Sequence, residues 1–145
     1  GKADVLGLFM ITQLHAAGEL GDADLMDNYV TFMASVFRSI RFGATSAHGK
    51  ANMVRFNFFL ERGAMVRDEQ TGTYRVDADK MTEAMNALAS KLLILQGDGD
   101  YDGAKALTES QGQIGATLQA DLERLASQGI PVDIVFDQGV AVLGL

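Results

Sequence analysis

The chain has 145 residues, 48% of them hydrophobic and 21% charged, with 12 Lys+Arg against 19 Asp+Glu and a net charge of −7. Those proportions fit a globular chain, exclude a disordered tail and oppose the basic surface that phosphate backbones require, so nucleic acid is not an expected partner. No stretch approaches the roughly 18 uninterrupted apolar residues of a membrane span, and the absence of cysteine removes disulfides, thiolate metal sites and cysteine nucleophiles.

One domain over residues 1–145 is expected at this length. Val5, Leu8, Phe9, Ile11, Thr12 and His15 recur at helical spacing and predict a first helix over about 2–17, ended by Gly18 and Gly21. It has no capping residue ahead of it, as if the chain began inside a helix. Asp22 or Asp24 can cap a second helix over about 24–42, striped with Leu25, Tyr29, Phe32, Met33, Val36, Phe37 and Ile40. Gly43 is a natural stop. Ser46 caps a third helix reaching about Arg62, with Met53, Phe56, Phe59 and Leu60 as its buried face.

Ala64–Arg67 and Thr73–Asp77 flank a polar loop containing Gly72 and predict a β-hairpin. Asp79 is the expected cap of a fourth helix, whose face is Met81, Met85, Leu88, Leu92 and Leu95. A loop over 97–100, a short helix to about Ser110 and a helix over about 115–127 follow, the last burying Leu118, Leu122 and Leu125. Pro131–Phe136 predicts a terminal strand. The fold class is mainly α: a bundle of about six helices with a small β-hairpin and a C-terminal strand.

Asp98-x-Asp100-x-Asp102-Gly103-x5-Glu109 matches the calcium-loop pattern of alternating carboxylates closed by a glutamate. Against it, Lys105 stands at the usually apolar eighth place, Ala104–Leu107 look helical, and there is no second loop of the kind. The plain reading is a polar loop in which Asp100 or Asp102 caps the next helix. Asp4, Leu8, Ile11 and His15 share a helix face, yet one His and one Asp fall short of a zinc site. His48 lies in the first turn of the third helix, a rigid and exposed place for a catalytic side chain, although exposed histidines are also ordinary. There is no serine elbow, no P-loop and no dinucleotide fingerprint.

Several stretches taken in order resemble one family. Lys2-Ala3-Asp4-Val5-Leu6-Gly7-Leu8 resembles the tail of the E-E-x-K/R-A-D/E-x-x-G-L motif of dipeptidyl peptidase III-like zinc peptidases. Ala47-His48-Gly49-Lys50-Ala51, with Arg55-Phe56-Asn57 and Leu60–Ala64 after it, is similar to the family's later A-H-x-x-A helix, nearest the branch of bacteria and of plant Nudix-fused proteins. Gly72–Asp77, Leu93–Asp98 and Ile130–Ile134 also fall in the family's order, so the resemblance covers nearly the whole chain.

The resemblance implies the C-terminal part of a larger catalytic lobe. In that family zinc is held by two histidines of an H-E-x-x-G-H or similar helix and by a glutamate of the E-E-x-K/R motif, and none of these is in this chain. The parent would hydrolyse short peptides with a zinc-activated water. This chain alone would bind no zinc and show no activity. By resemblance, Asp4 would orient a zinc-bound imidazole from behind, His48 would face the substrate carbonyl as a catalytic donor, and Lys50 and Asn52 would bind substrate. Asn52 stands where animal members of the family carry Arg. A peptide substrate is the expected partner of the parent, and a dimer through a face left exposed by truncation is expected of the fragment. The compartment stays open between cytoplasm and periplasm. The competing class is a non-catalytic helical interaction domain, with a calcium module third.

Overall fold

The computed structural model describes residues 1–134 and 136–144. Among them, helices α1 (Lys2–Ala16), α2 (Leu25–Ile40) and α3 (Ala47–Glu61) precede strands β1 (Met65–Arg67) and β2 (Tyr74–Val76). Helices α4 (Ala78–Gly97), α5 (Tyr101–Gln111), α6 (Ala116–Ser127) and α7 (Val140–Leu143) follow. The chain is mainly helical with a small two-stranded antiparallel sheet, as its sequence predicts, and carries one short helix more than expected.

Side-chain caps set the helix starts, because the first backbone N–H groups of a helix need an acceptor. Asp24 Oδ1 accepts from the Met26 N–H at 2.8 Å, Ser46 Oγ from Gly49 at 3.0 Å, and Asp100 Oδ1 from Gly103 at 2.8 Å. The cap of α4 is Asp77, which accepts from Lys80 at 3.1 Å. Asp79, the expected cap, lies in the first turn instead. Gly43 closes α2 at φ 90°, a conformation that only glycine adopts without strain.

The core forms where α1 packs on α4 and α2 on α3. Val5, Tyr29, Ile40, Met53, Phe56, Phe59, Met81, Met85 and Leu88 are fully buried. Helix α3 also contacts α4, α5 and β1, so it is covered on several sides. Phe58, outside the predicted stripe, is accordingly buried at 4% exposed; Leu60, inside it, is 37% exposed. The hairpin pairs Met65 with Val76, Val66 with Arg75 and Arg67 with Tyr74. It is seated by aromatic packing: Tyr74 lies 5.3 Å from Phe37 and 5.8 Å from Phe56 between ring centroids.

The expected C-terminal strand does not form over residues 131–134 or at Phe136, and Val135 lies outside the described residues. Alternating apolar residues make a strand only beside a ladder partner for the backbone, and among the described residues the sheet has two strands, β1 and β2. Arg41 Nη2 instead donates to the Ile130 carbonyl at 2.6 Å, and Arg38 meets Asp133 at 3.7 Å.

Candidate functional site

The first turn of α3 is tightly set. Ser46 caps it, and Gly49 lies against the preceding loop: a Cβ at Gly49 would stand 2.2 Å from the Gly43 carbonyl oxygen. His48 is held exposed in that turn. His48, Asn52 and Arg55 follow at i, i+4 and i+7, so they share one face of the helix.

Asn52 and Arg55 on that face line a cleft of about 570 Å³ between α1, α2 and α3, together with Asp4, Leu8, Phe32 and Ser35 among others, while His48 lies one turn outside its lining. Arg55 is 7% exposed and links the walls. Its Nη1 donates to Asp4 Oδ2 at 2.5 Å, its Nη2 donates to Asn52 Oδ1, and its guanidinium lies 5.7 Å from the Phe32 ring centroid. Nε is buried with no hydrogen-bond partner among the described residues. Asp4 is half exposed and also lies 3.6 Å from the Gly1 amino group.

The structure therefore brings Asp4 and Asn52 together through Arg55 and places His48 one turn from Asn52. It does not bring Lys50 there. Two residues on from His48, Lys50 is turned by about 200° on the helix and faces the end of α5, its Cβ 3.6 Å from where a Gly112 side chain would begin. Arg55 is the residue that the motif reading passes over. Its signal was present: a cation between Met53-Val54 and Phe56, three residues after Asn52, is costly to bury without a partner.

Chemically, the face offers hydrogen-bond donors from His48 and Asn52 beside one exposed carboxylate. Among the described residues no group of three or more His, Asp or Glu side chains could hold a metal ion, so these residues alone do not fit a zinc site. The Asp98–Glu109 stretch does not take the shape of a calcium loop. Residues from Tyr101 onward are α-helical, whereas such a loop wraps its ligands around the ion. Asp100 serves as the cap of α5.

A second charged cluster lies under the hairpin. Asp121 accepts from Arg67 at 2.8 and 3.0 Å and from the Tyr74 hydroxyl at 2.7 Å. Arg124 lies 3.5 Å away and donates to the Thr71 and Gly72 carbonyls. The Arg67 hydrogen bonds hold the Asp121 carboxyl down at about 2, well below its ordinary value. Burial, followed by the bond to Asp121, pushes the Tyr74 hydroxyl up. The hydrogen bonds within the cluster tie α6 to the hairpin.

No family model matches the chain. It is 40% identical over 133 residues to Nudix hydrolase 3 of Arabidopsis thaliana, a match covering 92% of this chain and 17% of that protein. Among solved structures it is similar to dipeptidyl peptidase III from Caldithrix abyssi, with TM-score 0.84 and 38% identity over 92% of this chain and 25% of that one. It is also similar to dipeptidyl-peptidase III from Corallococcus sp. strain EGB, with TM-score 0.82 and 39% identity over 92% of this chain and 24% of that one. The chain thus spans a quarter or less of the proteins it matches.

Proposed function

We propose that the chain is the C-terminal part of the catalytic lobe of a dipeptidyl peptidase III-like zinc peptidase. The observation that carries this reading is the likeness, at TM-score 0.84 and 38% identity, to a region of a dipeptidyl peptidase III. The plant relative bears the name of a different hydrolase, but the matched region is 17% of it, so the name describes a protein far longer than the stretch in common.

In this reading zinc supplies the activated water, and its ligands come from the longer protein, outside this chain. The chain contributes the opposite wall of the site. His48, exposed at the start of α3, donates a hydrogen bond to the substrate carbonyl oxygen, where negative charge grows during attack. Asn52 binds substrate one turn further on. Asp4, fixed through Oδ2 by Arg55, keeps its other oxygen for a neighbour supplied by the longer protein. The arrangement places no nucleophile, and the chain alone is expected to be inactive.

The test is dipeptide release by the full-length protein, with and without chelator, beside His48→Ala. Loss of activity on chelation and a fall of about a hundredfold in kcat for the variant support the reading. A full-length protein that binds no zinc and cleaves no peptide would leave a non-catalytic helical interaction domain.

A further inference from the structure

We propose that Arg55 is a positioning residue that fixes the polarity of Asn52, so that the site presents an amide donor to an acceptor oxygen of a bound peptide. This inference rests on the peptidase reading and names what Asn52 recognises. A guanidinium can only donate hydrogen bonds. The Asn52 atom facing Arg55 Nη2 is therefore the amide oxygen, as placed. The same contact turns the Asn52 NH2 group the other way, and Asn52 lines the cleft. No hydrogen bond within the described residues uses that NH2 group.

Arg55 is itself held against rotation. Nη1 is bound to Asp4 on α1, Nη2 to Asn52 on α3, and the Phe32 ring of α2 lies beside the guanidinium. Three helices thus set one side chain, and that side chain decides which end of Asn52 reaches the cleft. With His48 one turn away, the face carries two donors in a row. Such a pair suits oxygen acceptors along a peptide, namely backbone carbonyls or a C-terminal carboxylate.

The test uses the full-length protein freed of metal, tetra-alanine as free acid and as C-terminal amide, and calorimetric binding beside thermal melting. Asn52→Asp keeps the acceptor toward Arg55 and strengthens that contact, but replaces the outward donor with an acceptor. The expected result is about tenfold or greater weakening of peptide binding at an unchanged or raised melting midpoint. Weakening with both peptides assigns the contact to a backbone carbonyl, and weakening with the free acid alone assigns it to the terminal carboxylate. Arg55→Lys keeps the charge beside Asp4 but loses the fork that reaches Asn52, so it is expected to weaken binding in the same direction. If Asn52→Asp melts early, Asn52→Ala carries the same binding prediction.

Wild-type affinity in folded Asn52→Asp with both peptides overturns the inference and leaves the peptidase reading standing. A wild-type protein that cleaves no peptide when loaded with zinc and binds none without it overturns both.

Discussion

Asp121 is 3% exposed, yet it carries a full charge, because Arg67 grips both of its oxygens and Tyr74 donates to one. Removing one partner of such a buried pair is expensive, since the other is left without compensation. Asp121→Asn is expected to lower stability by about 3 kcal/mol, read by chemical denaturation. The pH dependence has a definite sign. The folded-state value, about 2, lies below the ordinary 3.8, so the stabilisation is complete above that ordinary value and disappears as pH falls through about 2. Melting midpoints taken from pH 5 down to 2 should fall more steeply in the wild type than in Asp121→Asn; parallel curves would refute the assignment. At Gly49 the constraint is steric. A methyl group there meets the Gly43 carbonyl oxygen, a backbone atom with little room to yield. Gly49→Ala should cost about 1–3 kcal/mol and shift the turn that carries His48.

Helix α3 owes its start to one hydroxyl. Ser46→Ala removes the acceptor for the Gly49 N–H and should cost about 1 kcal/mol. Hydrogen exchange should show the loss concentrated in the first turn of α3, where His48 lies, and uniform loosening of the whole helix would contradict this. The packing of α1, α2 and α4 shares a polar pin inside an apolar core. The Tyr29 hydroxyl lies 3.0 Å from the Thr12 hydroxyl and 2.8 Å from that of Thr82. Both threonines also donate to carbonyls one turn back in their own helices, Leu8 and Ala78. Tyr29→Phe leaves the threonines those local partners, so the expected cost is modest, about 1 kcal/mol in a denaturation experiment.

For the molecule as a whole, the matched stretch makes up 17–25% of each protein it resembles. Met10 on α1 and Leu93 and Ile94 on α4 are apolar and exposed here, at 53%, 48% and 58%. Apolar surface of that kind favours self-association. If the chain is part of a longer protein as proposed, it is expected to dimerise by itself at concentrations where that longer protein does not, and light scattering on both forms tests this. A monomeric chain at high concentration would remove the proposal of a dimer through this surface.

The sequence by itself determined helices α1 to α6, the hairpin and the places where most of them begin, because these depend on neighbours a few residues apart. Apolar spacing in α2 puts Tyr29, Met33, Val36 and Ile40 on one face whatever that face meets, and Asp24, Ser46 and Asp100 cap through their own turn. It also placed His48 at the start of α3 and spaced Asn52 one turn behind it. Tertiary structure decided what depends on distant partners. Phe58 is buried and Leu60 exposed, although the helical period expects the reverse for Leu60, because α3 packs against several elements at once. Pro131–Ile134 stayed out of a sheet because no strand among the described residues lies beside it. The separation of Lys50 from Asn52, by contrast, was legible in the spacing, since residues two apart face different sides of a helix whatever it packs against. Asp4 and Arg55, fifty-one positions apart, meet across the cleft only once α1 and α3 are packed. Their pairing rests on a buried cation needing an anion, a demand the sequence states without naming the partner that answers it.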